Sequence, residues 1–523
     1  MAVLALMLGM ASKPAIAQDA GEAVAAEAAQ QLDINEYFVE GNTVLTDAEI
    51  ERAVYPFLGP DRSLDDVENA RAALQKVYEE KGLKTVFVEV PQQNVVAGRV
   101  RLAVAEARVG TVTVAGAKHT SDDRVTSALP SIAPGAVPNL DMFSNELIAL
   151  NTRSADRQVS PELKAGAEPG TVDVVLAVED KLPIHGSLEI NNNYSRDTTK
   201  TRVQAGLRHE DLWGMGHSAA LFYAVAPERR KDSEVWVLAY GLPLSDDVRL
   251  DLQGLMSNSD VATIGSTNVL GDGKSVTATL SKTLGGSANL YHRVSASIAY
   301  KDFDEVLRFD ESSDRAPITY FPVSLGYAGS LRLDRGELGF NTALTFAFRG
   351  LGSDSREFDY KRFRATGGFA YLRAGANYRH DLPKGAELFV NLDGQIASEP
   401  LVSNEQFAAG GVGSVRGYLQ SEAIGDNGIS SSIELRSPSF ASVLGGMADD
   451  LRVIGFADAA SIWVKSPTAE QQSRFGLVSV GAGLRLKLFN HLNGDLDVAW
   501  PLRDVGSTRA GDTRVHFRIS ADF

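Results

Sequence analysis

From about residue 183 to the last residue, apolar and polar side chains alternate with a period of two, and nothing else in the chain constrains its fold as tightly. The final segment shows the pattern most cleanly. Val515, Phe517, Ile519, Ala521 and Phe523 fall on one face, and Arg514, His516, Arg518, Ser520 and Asp522 on the other. Val276, Ala278 and Leu280 likewise oppose Ser275, Thr277, Thr279 and Ser281, and the same script recurs at Val248–Gln253, Arg293–Lys301 and Val478–Lys487. A soluble sandwich also alternates. Here, however, the polar faces carry full charges (Arg485, Lys487, Asp495, Asp497), as a water-filled lumen requires. The apolar faces carry aromatics near segment ends (Trp236, Tyr240, Tyr300, Trp500, Phe523), as an interfacial girdle requires. The expected fold is a membrane β-barrel over residues 182–523. Marking the segments gives about sixteen antiparallel strands, each with some 9–11 residues across the bilayer.

The preceding residues read differently. Val3–Ala11 is a short apolar run, and Ala15-Ile16-Ala17 is a small-x-small cleavage pattern, so 1–17 is expected to be a signal peptide and 18–32 an N-terminal tether. Two small α/β modules follow, over 33–106 and 107–181. In the first, Thr46 and Glu49 form a capping box, and Ser63 opens a helix whose Val67, Ala70, Leu74 and Val77 share a face. The second repeats the order of elements. Both first strands end on an x-Val-x-Gly signal, Phe38-Val39-Glu40-Gly41 and Thr113-Val114-Ala115-Gly116, which marks an internal repeat of about 75 residues.

Composition removes several functions. There are no cysteines, which excludes disulfide frameworks, thiolate metal sites and thiol nucleophiles. A formal charge of −16 argues against binding nucleic acid through its phosphates. The eight histidines are scattered without a His-x-x-x-His pair, so neither a metal nor any other cofactor is expected. Gly271-Asp272-Gly273-Lys274-Ser275 ends like a phosphate loop but lacks the leading glycine, and reads as a hairpin turn. Gly411-Val412-Gly413 begins a dinucleotide fingerprint that Arg416 breaks. No Gly-x-Ser-x-Gly elbow is present. The chain is not expected to be an enzyme.

One connection is unusually long. About 400–427, between the eleventh and twelfth strands, is rich in glycine (Gly410, Gly411, Gly413, Gly417) and carries Val415-Arg416-Gly417-Tyr418. Loops of that length without secondary structure are usually functional or disordered. Arg416 supplies a planar fork able to bind a carboxylate with two hydrogen bonds. Phe456, Asp458 and Ala460 share one face of a later strand, so the Asp458 carboxylate can face inward, as one of many lumen carboxylates.

With Val415-Arg416-Gly417-Tyr418 and Phe456-Ala457-Asp458, several other segments resemble one family. They are Tyr37–Thr43 (opening strand of a first POTRA domain), Asn191–Tyr194 (first barrel strand), Leu212–Gly216 (first hairpin) and Tyr240–Leu244 (end of the fourth strand). The chain resembles the outer-membrane transporters of two-partner (type Vb) secretion, the haemolysin secretion/activation family, over essentially its whole mature length. It departs at Ala459-Ala460 and at Ser195, where members commonly carry glycine. The resemblance implies two periplasmic POTRA domains that take up an unfolded, large, β-helix-type exoprotein, and a sixteen-stranded barrel that exports it without ATP. It further implies that Val415-Arg416-Gly417-Tyr418 is the tip of a loop folded back into the lumen, where Arg416 meets Phe456 and Asp458 on the barrel wall. Contact with outer-membrane lipid and lipopolysaccharide is implied as well, and insertion by the barrel-assembly machinery, with Phe523 as the C-terminal barrel signal. An assembly or insertion factor of the same superfamily is the alternative, although such relatives usually carry three or more POTRA modules. A passive porin would not need the α/β modules.

Overall fold

The computed structural model describes residues 31–523 apart from 153, 155, 259–260, 265–266, 271, 286–288 and 310–311. The expected signal peptide, 1–17, and all but the last two residues of the tether, 18–32, lie outside the described residues. Two compact units are present, one holding the α/β modules and the other the β-barrel.

In the first module, Glu36–Glu40 runs parallel to Arg99–Glu106, which pairs antiparallel with Val86–Glu89. The strand read through Ile34–Val39 breaks at Asn35. Leu32–Ile34 pairs instead with Gly59–Arg62, while the Asn35 and Glu36 amides both donate to the Gly98 carbonyl. Helix Leu64–Glu80 buries Val67, Ala70, Leu74 and Tyr78, so Tyr78 rather than Val77 completes the stripe. Its hydroxyl donates to Asn42 Oδ1 at 2.8 Å, which lets the large ring sit fully buried. Both capping boxes, at Thr46/Glu49 and Ser63/Asp66, are formed. The second module has a three-stranded sheet in which Arg108–Ala115 pairs parallel with the central Thr171–Asp180, with Arg157–Ala165 on the far side.

The repeat read from x-Val-x-Gly has a stereochemical basis. Gly41 and Gly116 both adopt positive φ, +91° and +87°. A Cβ would lie 2.3 Å from the Val104 carbonyl oxygen in one case and 2.6 Å from that of Val178 in the other. Each glycine lets the chain leave its strand against a neighbouring backbone, where no side chain fits. Two residues beyond each of these valines stands a carboxylate that receives the amides freed by the turn. Glu106 accepts from Thr43 and Val44, and Asp180 from Lys118, His119 and Thr120. At Asp180 partial burial opposes ionisation, but the three N–H donors outweigh it and hold the carboxyl below the ordinary aspartate range.

A depressed folded pKa stabilises above the unfolded value near 4 and loses that contribution as pH falls through the lower folded value. Asp180→Asn is therefore expected to destabilise by about 1 kcal/mol at pH 7, and the gap to the parent should close below pH 4. Thermal melts across pH 2.5–7 check this; a gap independent of pH would refute it.

Among the described residues the barrel closes on itself with sixteen strands. The first, Ile184–Asn191, pairs with the second, Arg202–Leu212, and with the last, Arg514–Asp522. The eighth is made of two segments, Ser312–Tyr320 and Val323–Leu333. Both pair with the long seventh strand, Leu290–Phe309, and Phe321-Pro322 lies between them. Pro322 has no N–H to offer the ladder, but its carbonyl still accepts from Ala299 at 3.0 Å. Asp272–Ser275 opens the sixth strand, Asp272–Leu284, rather than forming a turn, because the sixth and seventh strands continue pairing as far as Asp272↔Asp304. Gly271 is outside the described residues. The alternation is realised as two faces: Val515 and Ile519 are 47% and 49% exposed, while His516 and Ser520 are 4% and 9% exposed. The apolar face of the last strand therefore looks out of the barrel and the polar face into it.

Candidate functional site

The connection between the eleventh strand, Glu387–Ala397, and the twelfth, Asn427–Arg436, folds into the barrel lumen. It is not without secondary structure: Phe407–Ala409 and Ala423–Gly425 pair as a short ribbon, with the tip between them. Gly410 and Gly411, at φ +115° and +87°, turn the chain out of that ribbon. A Cβ on Gly410 would sit 2.3 Å from the Leu419 carbonyl oxygen, so the two sides of the tip touch backbone to backbone there.

Arg416 at the tip is 4% exposed, and its donors converge on the wall. Nε and Nη2 donate to the two oxygens of Asp458 at 2.8 and 2.9 Å, and its backbone amide donates to the same carboxylate at 3.1 Å. Nη1 donates to Glu434 at 2.9 Å, Nη2 also reaches Ser432 Oγ at 3.1 Å, and Asp497 lies 3.8 Å away. The guanidinium carbon stands 3.4 Å from the centroid of the Phe456 ring. Phe456 and Asp458 lie two apart on the thirteenth strand, Ala448–Trp463, so both point inward. One supplies a face for the planar cation and the other takes its fork.

The neighbouring residues hold the tip's backbone. Val415 and Tyr418 are fully buried. The Tyr418 hydroxyl lies 2.9 Å from the Arg503 carbonyl and 3.1 Å from that of Val478, on the fourteenth strand, Arg474–Leu488. The Gly417 amide donates to His516 Nε2 at 3.0 Å, which places the ring proton on Nδ1, and its carbonyl accepts from Arg514 Nε at 3.0 Å. At φ +90°, with Ala499 and Pro501 within van der Waals reach of a Cβ, position 417 suits glycine alone. Arg514 also donates to the Tyr194 hydroxyl at 3.1 Å, and the Tyr194 carbonyl accepts from the Gln420 amide. At the other end of the last strand, the Phe523 amide and carbonyl pair with Gly186 on the first, while the side chain is 73% exposed.

Three features of the site had no counterpart in the sequence reading. Glu434 and Ser432, on the twelfth strand, join the Arg416 cluster. Arg485, expected with Asp497 as a lumen charge, bridges Asp497, at 2.7 Å, to Glu434, at 3.6 Å. Their signal was only the inward register, which many lumen residues share. At the loop's base the fully buried Asp426 accepts from the Leu401 and Lys465 amides and from the Gln406 and Arg362 side chains. It thereby ties both ends of the loop to the connection between the ninth strand, Gly336–Phe346, and the tenth, Ala370–Asp381, whose helix, Ser355–Lys361, buries Phe358. The third feature is Glu405, buried near the loop's root among Lys301, Tyr320 and Tyr371.

With this geometry in view, comparison with known proteins is specific. A family model described as haemolysin secretion/activation protein ShlB/FhaC/HecB matches residues 170–486, more than half of the chain, and one described as POTRA domain, ShlB-type, matches 32–107. An outer membrane transporter CdiB of Escherichia coli is 23% identical over 514 residues, covering 94% of this chain and 82% of that one. The CdiB of Dickeya dadantii (strain 3937) is 22% identical over 385 residues, covering 71% and 66%. Among solved structures, CdiB from Escherichia coli superposes with a TM-score of 0.66 at 19% identity, covering 96% of this chain and 93% of that one. BamA from Haemophilus ducreyi lacking POTRA domains 1–3 gives 0.56 at 15% identity, covering 94% and 100%. At those identities the structural likeness speaks for the fold alone.

Proposed function

Because the chain belongs to the haemolysin secretion/activation family of two-partner secretion transporters, we propose that it exports one large partner exoprotein, taken up unfolded by its POTRA modules, through the barrel and without ATP. It is an outer-membrane barrel with periplasmic POTRA domains. One observation supports the mechanism above all: a loop reaches into the lumen and is held at its tip through side-chain contacts at Arg416 rather than by a strand ladder. Such a plug can be withdrawn without unzipping the barrel. In this reading Val415, Arg416, Gly417 and Tyr418 form the latch, Phe456 and Asp458 receive it, and its release opens the path. Folding of the cargo outside then supplies the driving force.

Cargo recognition has a surface suited to it. In the second module, strand Arg108–Ala115 lies at the sheet edge, its start covered where Val109 pairs with Gly135 and Ala136, and beside its later residues a groove of about 840 Å³ is lined by Val112, Val114, Leu129 and Ile132. An extended peptide can add to that edge through backbone hydrogen bonds, which demand little of its sequence. The outward apolar faces would contact outer-membrane lipid and lipopolysaccharide. Phe523, at the end of the seam strand, would be the barrel signal read by the assembly machinery.

Comparing the secreted and outer-membrane proteomes with and without the gene tests the reading. Loss of a single large secreted protein, with other barrels unchanged, is the expected result. A general fall in outer-membrane proteins would replace this reading with that of an assembly factor.

A further inference from the structure

Arg416 is not the only charged contact of the lumenal loop. Eleven positions earlier, Glu405 carries a carboxylate that is as deeply buried, at 2% exposure. It faces a different wall. Tyr320 donates to one oxygen and Tyr371 to the other, each at 2.7 Å, and Lys301 pairs with it. These three residues come from the eighth strand, the tenth strand (Ala370–Asp381) and the seventh strand. The backbone of Glu405 is held as well, since Gln395 Nε2 donates to its carbonyl at 3.0 Å. Leu401 and Val402, just before it, belong to an apolar cluster with Tyr320, Tyr371 and Phe358. Beyond it, Val415 and Tyr418 belong to a separate cluster with Ala460, Ile462 and Leu477. The loop's contacts thus include two buried charges of opposite sign, an arginine on the acidic wall of strands twelve to fifteen (the fifteenth is Leu492–Pro501) and a glutamate on the tyrosine–lysine wall of strands seven to ten.

The two anchors differ in slack. Glu405 lies eight positions past the end of the eleventh strand at Ala397, and the Asp426 clasp closes the loop beside it. Arg416 sits beyond Gly410 and Gly411, the positive-φ pair at which the chain leaves the ribbon. Bending there moves the tip and leaves the root in place.

We propose that Glu405 is a positioning residue for transport, the fixed root about which the loop pivots when Arg416 lets go, so that the polypeptide passes along the wall of strands twelve to sixteen. A carboxylate that must stay buried through the cycle needs every oxygen partnered, and here both are. Releasing Arg416 alone swings the tip aside; releasing Glu405 as well removes the second restraint inside the lumen and leaves the loop held at the Asp426 clasp. The inference rests on the plug reading of the proposed function, and its test needs no cargo.

Purified full-length protein in planar bilayers reports pore opening directly. Glu405→Ala is expected to raise mean conductance about twofold or more over the parent, and Glu405→Ala with Arg416→Ala to exceed either single variant, because each removes a separate restraint on one equilibrium. Lys301→Glu is expected to open the pore likewise, and Lys301→Glu with Glu405→Lys to return it toward the parent, a rescue that loss of packing would not show. Should Glu405→Ala fail to assemble, Tyr320→Phe with Tyr371→Phe keeps both rings in the apolar cluster and removes two of the donors, so the same rise is expected. Parental conductance in the tyrosine pair, or no rescue by the charge exchange, overturns the proposal. If the proteome comparison finds no dependent exoprotein while these conductances change as stated, the export reading fails and the pivot stands.

Discussion

Arg416→Ala is expected to cut export of the dependent exoprotein about a hundredfold while the barrel remains inserted in the outer membrane. The size follows from what the substitution leaves behind. Asp458, Glu434 and Asp497 are each 5% exposed or less, and all three lie within 4 Å of the guanidinium. Removing one partner from a buried charge cluster costs about 3–5 kcal/mol, since the remaining charges keep their desolvation penalty without compensation. Arg485 still pairs with Asp497, and Arg436 with Glu434, but among the described residues Asp458 would keep Ser432 and backbone alone. The sixteen-strand ladder does not depend on the loop, so heat-modifiable mobility of the barrel should be unchanged. Exchanging the charges, Arg416→Asp with Asp458→Arg, is expected to restore little. The arginine serves three carboxylates at once, and the exchange sets a carboxylate at the loop tip beside Glu434 and Asp497. Export at the parental rate by Arg416→Ala would end the latch assignment.

The second large effect is expected in the modules. Gly116→Val should destabilise its module by at least about 3 kcal/mol, a large share of what a domain of this size has to lose. Two costs add: a β-branched residue is forced to φ +87°, and its Cβ falls 2.6 Å from the Val178 carbonyl oxygen, which is backbone and cannot swing away. Gly135→Ala is the control, because Gly135 also has positive φ (+82°) but nothing lies within 4 Å of its Cβ position, so only a conformational cost of about 1 kcal/mol is expected. Protease resistance of the module in permeabilised cells separates the two. Equal resistance would show that the close approach to Val178 carries no weight.

Much of the fold is legible in the chain because β-structure in a bilayer has one pattern to obey. A strand between lipid and a polar lumen must alternate, and one residue of slippage would put Arg518 into lipid and Ile519 into the lumen. The pattern is therefore written into every strand, and sixteen can be marked without knowing which pair. The glycines of the repeat are legible for a related reason: a position with positive φ against a neighbouring backbone tolerates one residue type. Where the reading erred, a long-range partner decided. Asn35 interrupts a strand because Gly98, far along the chain, takes two amides at that point. Asp272–Ser275 is a strand because the seventh strand extends to meet it.

The candidate site was legible only in part. Arg416 and Asp458 stand out through short motifs that resemble those of the family, a glycine beside an arginine at a tight tip and an aromatic two residues from a carboxylate on one strand face; the residues alone leave Asp458 one of many lumen carboxylates. Glu434, Asp426 and Glu405 carry no such mark. Each is an ordinary acidic residue in sequence, and each acquires its role from partners on other strands or connections, Arg416 for the first, Leu401 and Lys465 for the second, Tyr320 and Tyr371 for the third. Periodicity and backbone stereochemistry are properties of neighbours along the chain, so the sequence by itself determined the barrel, the paired modules and the tip of the loop. Which carboxylates are buried, and against what, depends on how the barrel closes and how far the loop reaches inside it. Only the tertiary structure decided that, because burial and charge pairing are energies of residues that meet across the lumen.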